Sequence, residues 1–391
     1  MERLWTKPFV LLTAGMLLLF TGFYLLLPTF PLYLQELGAS KSQVGLAAGV
    51  FTLAAVVTRP LVGGLLDRYG RRRFMIAGLL LFAMAMYAYD WVGGLAALFA
   101  LRVLHGIGWA FSTTAVGTTI TDIIPDSRRG EGVGYYGMAM TIAMAIGPML
   151  GVWLIRGGSY HTLFLLATVF SVAALLLAVT AKAPYRARGG RGRLQLFERS
   201  IASVMVAIFF LSAAYGGVTT FVPLFAESIR VNAGTFFLVY AIALTATRPL
   251  AGKLSDRRGE AFVIVPALGV TAAALIVLGL SHGYAGMIVA AVLYGIGFGS
   301  AQPALQSTAL RLAHPERRGV ANASFTASFD LGIGLGSIVL GWVSQYAGYQ
   351  TLFTVTALSA AVSLAVFATV VRRRLRSPQS AQAEAVSPAS K

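Results

Sequence analysis

Long apolar runs separated by short polar breaks account for most of the chain. Twelve of them are long enough to cross a bilayer, near residues 8–34, 43–66, 74–91, 95–123, 128–156, 160–181, 200–227, 233–256, 261–281, 284–312, 317–346 and 349–372. About 20 apolar residues, rising roughly 1.5 Å each as a helix, cover the hydrocarbon thickness of a membrane. In that medium an isolated run satisfies its own backbone N–H and C=O groups only by being helical. The pattern predicts an all-α membrane protein of twelve transmembrane helices. The first run leads straight into further apolar sequence with no small-residue cleavage site, so it reads as a span and not as a removable signal peptide.

One interior break is long, polar and rich in Gly and Arg: KAPYRARGGRGRLQLFER, residues 182–199. It divides the chain into a six-helix bundle over 1–181, a basic linker over 182–199, a second six-helix bundle over 200–372 and a low-complexity tail over 373–391 that is expected to be disordered. The bundles repeat at a shift of 189 residues. Thr58-Arg59-Pro60-Leu61 recurs as Thr247-Arg248-Pro249-Leu250, Gly106-Ile107-Gly108 as Gly295-Ile296-Gly297, Gly147 as Gly336 and Trp153 as Trp342. An even number of spans per repeat gives both the same orientation, related by an axis along the membrane normal. Transporters built this way bind cargo between their repeats.

Composition agrees with a lipid environment. Hydrophobic residues make up 57% of the chain and charged residues 12%, about half the usual share for a soluble protein. The net charge of +17 would suggest a nucleic-acid partner in a soluble chain, but its distribution argues otherwise. With the N-terminus in the cytoplasm, 25 of the 31 Lys and Arg fall on the cytoplasmic side, three (Lys41, Arg156, Arg230) on the other, and three (Arg59, Arg102, Arg248) within spans. The positive-inside rule then puts both termini in the cytoplasm of a cell-membrane protein, and the charge reflects topology and attraction to lipid headgroups. There is no cysteine, and His105, His161, His282 and His314 are scattered, so neither a metal site nor a cofactor is expected.

The loop after the second span reads Gly63-Gly64-Leu65-Leu66-Asp67-Arg68-Tyr69-Gly70-Arg71-Arg72-Arg73, and a weaker copy with Asp256 and Arg257 runs from Gly252 to Gly259. A small Gly63 admits a close helix, and Asp67 can meet the positive end of a helix dipole. In the fourth span Arg102, His105 and Trp109 share one helix face. In the fifth, Gly134, Gly147, Pro148 and Gly151 thin and kink the helix. The Asp67 segment matches the GxLxDRxGRR signature of the major facilitator superfamily. The fourth span resembles the RxxQGxG motif of its proton-coupled members, with His105 where Gln is usual. The fifth resembles the antiporter motif, with Ala143 and Val152 at two of its glycine positions. Together the motifs resemble the twelve-helix drug:proton antiporter branch, and the resemblance covers residues 5–375. It implies a secondary transporter that exports amphipathic compounds in exchange for protons, with Asp67, Arg68, Gly70, Arg71 and Arg72 acting as a conformational switch.

Of the fourteen acids only Asp330 lies deep in a span, about thirteen residues into the eleventh. An intramembrane acid is by default a functional-site candidate, so Asp330 is the expected proton carrier, with Arg102 and His105 facing the same cavity. Tyr24, Trp109, Tyr215, Tyr294, Phe298, Gln302 and Asn322 are candidate cavity residues for a flat or cationic solute. The expected partners are a small-molecule substrate, protons and membrane lipids, with no nucleic acid and a monomeric state. Two alternatives stay open: proton-coupled uptake or facilitated export of a sugar or other metabolite, and a membrane sensor on the same fold. No nucleophile and base stand together, which argues against an enzyme.

Overall fold

The computed structural model describes residues 3–125, 128–157, 159–181, 198–314 and 317–375; within these, the side chains of 63, 64, 67, 129, 130, 318 and 319 are not described. The linker expected over 182–199, except Glu198 and Arg199, and the tail beyond 375 lie outside these residues. The described chain is helical and contains no strand. The helices are α1 (Lys7–Glu36), α2 (Lys41–Tyr69), α3 (Arg71–Ala88), α4 (Leu95–Ile123), α5 (Arg129–Arg156), α6 (Tyr160–Thr180), α7 (Ala202–Ser228), α8 (Ala233–Arg258), α9 (Glu260–Gly279), α10 (Tyr284–Leu312) and α11 (Arg318–Val366). The bounds of α4 and α10 are those the hydropathy pattern predicts. The predicted runs 317–346 and 349–372 appear as one helical stretch broken at Gly348, whose φ of 78° is available to glycine without strain. Among the described residues, ten helical stretches are long and apolar enough to cross a membrane.

Local chemistry sets the ends of these helices. Ser40 and Gln43 form a reciprocal capping box at the start of α2. Gly70 and Gly259, with φ of 87° and 84°, make the one-residue turns into α3 and α9. Within the spans, hydroxyls of Thr21, Thr29, Ser112, Thr113, Thr119 and Thr271 donate to carbonyls four residues back, which pairs these groups within their own helices.

Glycine determines how closely the helices pack. A Cβ on Gly147 or Gly151 would run into Tyr24 or Leu25 of α1, and one on Gly336 or Gly332 into Ala213, or Phe209 and Ser212, of α7. Gly106 lies against the Phe51 carbonyl, and Gly295 against that of Tyr240; Gly108 meets the Phe82 backbone, and Gly297 that of Thr271. Both members of each of these last two contacts are displaced by the same 189 residues. In this way α1 packs on α5 and α6, α2 and α3 on α4, α7 on α11, and α8 and α9 on α10.

Helices α1–α6 meet the remainder mainly through α2 on α11, α5 on α8 and α1 on α7. The α2–α11 seam begins at Lys41, whose backbone N–H donates to Gln345 at 3.0 Å. It then runs along Gly45, Gly49 and Thr52 against Gly341, Ser337, Ile338 and Gly334. Where the second group of helices begins, Glu198 is buried. Its carboxylate accepts from Ser200, its backbone N–H donates to Ser324 of α11, and Arg317 lies 3.8 Å away. The hydrogen bond from Ser200 holds the Glu198 carboxyl below the ordinary carboxylate range.

Candidate functional site

At the inner limit of the α2–α11 seam, Arg59 donates to Asp330 at 2.6 Å. The two side chains are 18% and 15% exposed, so this ion pair between α1–α6 and the later helices is largely shielded from solvent. The acid that stands alone in its span in sequence is therefore not alone in space. A partner removes much of the penalty of holding a carboxylate at that depth, and it couples the charge of Asp330 to the closeness of α2 and α11.

The α5–α8 seam has a related contact of different chemistry. Arg248 donates to the Thr141 hydroxyl and lies 4.0 Å from the Met144 sulfur. Arg59 and Arg248 are equivalent under the 189-residue shift, and so are Thr141 and Asp330. Each arginine thus crosses to the residue corresponding to the other's partner, but only one of them meets an acid.

Helices α7, α8 and α10 share an aromatic wall. Tyr215 stacks on Phe298 at 4.7 Å, Phe298 on Tyr294 at 5.6 Å, and Tyr294 tilts against Tyr240 at 5.6 Å. All four rings are buried. Of the candidate cavity residues, Tyr215, Tyr294 and Phe298 come together here. Tyr24 stacks instead on Phe20 at 6.3 Å and lies against Gly147 of α5. Gln302 is buried in α10, and Asn322 accepts from Gln306 at 2.9 Å. Trp109 belongs to a separate cluster, stacked on Phe23 at 4.3 Å.

Arg102 and His105 share a helix face with Trp109, as their spacing requires, but that face is packed among helices α1–α4. Arg102 is 4% exposed; it donates to the Ala47 carbonyl at 3.1 Å and lies over the rings of Phe30 and Phe51. His105 is fully buried among Phe51, Phe82 and Phe23, with Nδ1 3.0 Å from the Tyr89 hydroxyl. The expected shared cavity with Asp330 does not appear in these contacts. Arg102 instead braces α4 on α2. Arg102→Ala is expected to destabilise the detergent-purified protein by about 2–4 kcal/mol, since it removes a charge-assisted hydrogen bond and two cation–π contacts. Arg102→Lys should recover part of this by keeping the charge without the planar fork. An unchanged melting temperature for Arg102→Ala would rule out the brace.

In the segment expected from sequence to act as a switch, Arg71 pairs with Asp122 of α4 and donates to the Thr118 carbonyl, and Arg72 donates to the Val179 carbonyl of α6. Arg68 lies over the Tyr69 ring, while Asp256 and Arg257 are exposed at the end of α8. Gly63 and Asp67 are in the last turns of α2, with side chains outside those described. On α5, Gly147 and Gly151 pack on α1, whereas a Cβ at Gly134 would meet open space and Pro148 is carried within the helix. Glu260 and Arg311, 2.8 Å apart, form the counterpart of Arg71 and Asp122 with the signs exchanged. Sequence reasoning missed this pair, although the same 189-residue shift relates both members. The pairing of Arg59 with Asp330 had no such signal: Arg59, Arg102 and Arg248 all lie within spans, and the sequence does not say which of them faces the deep acid.

The family model for the Major Facilitator Superfamily matches residues 12–337 and 232–391. The chain is 27% identical to the staphylopine export protein of Staphylococcus aureus over 89% of its own length and 92% of that protein's. It is 26% identical to multidrug resistance protein 1 of Bacillus subtilis, with 91% and 95% covered. Among solved structures it is similar to the nucleoside transporter NupG, with a TM-score of 0.75, 17% identity, and 93% and 100% of the two chains covered. It is also similar to a bacterial homolog of the human lysosomal transporter Spinster in an inward-facing, unoccupied conformation, with a TM-score of 0.77, 16% identity, and 96% and 98% covered. With its apolar helices and this match over most of its length, the chain belongs to the Major Facilitator Superfamily and is a multi-pass membrane transporter, not an enzyme.

Proposed function

We propose that this transporter exports a small amphipathic or cationic molecule in exchange for protons by alternating access, as twelve helices in two six-helix repeats with both termini in the cytoplasm. The Arg59–Asp330 ion pair carries the reading. It joins the repeats at the seam that ends at Lys41, which the positive-inside orientation places on the outer face. Asp330 keeps its attraction for Arg59 only while ionised. A proton neutralises it, and a cationic cargo competes with Arg59 for it. One carboxylate that answers to either ligand is what exchange requires, and its release from Arg59 lets α2 and α11 part. The names of the export and multidrug relatives agree in direction.

The test is reconstitution into liposomes with ethidium as the cationic probe. An acidic lumen should drive ethidium inward against its gradient, and a protonophore should stop it. Uptake driven by the opposite pH gradient would point to symport, and uptake indifferent to the protonophore to facilitated diffusion.

A further inference from the structure

The following rests on the transport reading above and adds a chemical feature of the cargo. Arg59 has a carboxylate across its seam, whereas Arg248 has only a hydroxyl and a thioether; the Nε of each arginine has no hydrogen-bond partner among the described residues. Taken together, Arg59, Arg248 and Asp330 leave one positive charge uncompensated between the repeats. Such a charge is costly away from water unless something of opposite sign meets it.

The groups around Arg248 are suited to that partner. Tyr240 stands two helical turns before Arg248 on α8, and Tyr294, Phe298 and Tyr215 continue from it as one wall of rings. Tyr215, Tyr240 and Tyr294 are 1%, 3% and 1% exposed, and their hydroxyls have no hydrogen-bond partner among the described residues. Buried hydroxyls in native proteins are ordinarily paired, so three unpaired ones along one ring-stacked wall mark a place built to receive an acceptor. A guanidinium fork has only donors, and phenolic hydroxyls add more, a set that matches an oxyanion with several lone pairs. A cation would be repelled here, and a neutral sugar would leave the charge uncompensated.

We infer that Arg248, with the hydroxyls of Tyr215, Tyr240 and Tyr294, binds a carboxylate of the cargo. Thr141 leaves open the position that Asp330 fills in the other seam, and the cargo supplies the missing acid. Tyr24 of α1 lies against Gly147 of α5, one turn past the Met144 that Arg248 meets, and α1 also packs on α7, the neighbour of α11, so a cargo whose amine meets Asp330 and whose carboxylate meets Arg248 spans the two seams past this ring. The preferred cargo is therefore zwitterionic.

The experiment compares norfloxacin, which carries both a carboxylate and an amine, with its ethyl ester, which keeps only the amine. Binding of each to the purified full chain is measured by calorimetry at neutral pH. Wild type should bind norfloxacin about tenfold or more tightly than the ester, the scale of a charge-assisted hydrogen-bond pair. Arg248→Gln should abolish that difference and Arg248→Lys restore part of it. Tyr240→Phe with Tyr294→Phe removes only hydroxyls, and should narrow the difference even if the Arg248 variants fail to fold. Equal binding of the two compounds to wild type, or equal weakening of both by Arg248→Gln, would overturn the proposal. So would failure to bind either compound while ethidium is still driven by protons. Loss of ethidium transport by wild type would count instead against the transport reading on which the proposal rests.

Discussion

Asp330→Asn is expected to abolish proton-driven accumulation of ethidium in proteoliposomes while leaving downhill exchange of the dye measurable. The amide keeps the size of the carboxyl but neither takes up a proton nor pairs ionically with Arg59, so a step driven by that proton disappears and the binding surface remains. The variant also strands the Arg59 charge at the seam. Removing one member of a largely buried pair costs about 3–5 kcal/mol, enough to shift a two-state balance by more than about a hundredfold. The α2–α11 seam should then open more often, and spin labels placed across it at Ser42 and Gln345 should separate. Exchanging the charges, Arg59→Asp with Asp330→Arg, should bring the labels together again without restoring transport, because the proton-binding group has moved to the other half. Full proton-dependent accumulation by Asp330→Asn would remove Asp330 from the mechanism. Labels that stay close would show that the pair does not hold the seam.

The second large effect concerns bare backbone. A Cβ on Gly45 would overlap the Ser337 carbonyl oxygen, and one on Gly49 would lie 2.8 Å from the Gly334 carbonyl as well as striking Ile338. This seam lies between the halves, so a larger residue has a way out that it lacks within a half: the halves can part. Gly45→Leu should therefore bias the protein toward the arrangement in which the Lys41 end is open. Overpacking of about 1–3 kcal/mol shifts such a balance by about five- to 150-fold. The chain has no cysteine, so Ser337→Cys is a lone reporter, and its labelling by a membrane-impermeant thiol reagent should speed up accordingly. Gly332→Leu strikes Phe209 and Ser212 of α7 within one half, where no parting is available, and should reduce the yield of folded protein instead. If Gly45→Leu leaves the labelling rate unchanged, that seam does not open in the cycle.

Much of this arrangement was legible in the sequence because a membrane imposes one constraint on every span. The runs 95–123 and 284–312 are the bounds of α4 and α10, since each apolar stretch ends where the chain reaches polar surroundings. The break expected between the runs 317–346 and 349–372 falls at Gly348, where one glycine with positive φ turns the chain without any polar loop. The importance of Asp330 was readable from its depth, but its partner was not. Arg59 sits 271 positions away on a helix of the other half, and hydropathy carries no record of which helices face each other. The surroundings of Arg102 and His105 were hidden for a related reason. Their spacing puts them on one face, but only the approach of Phe30, Phe51 and Phe82 determines that this face is packed.

The two arginine seams also differ in strength, with a mechanical consequence. One is closed by an ion pair and the other by a neutral hydroxyl, so the joint between the halves is lopsided although the halves correspond in sequence. Rigid bodies held by one strong edge and one weak edge do not tip evenly about the line between them. On the proposed cycle, while Asp330 stays ionised and holds Arg59, they would swing like a door, with α2 against α11 as the hinged edge and α5 against α8 as the edge that moves first. The unladen carrier should begin its motion off axis, and a bound carboxylate at Arg248 would stiffen the free edge and bring the swing back toward symmetry.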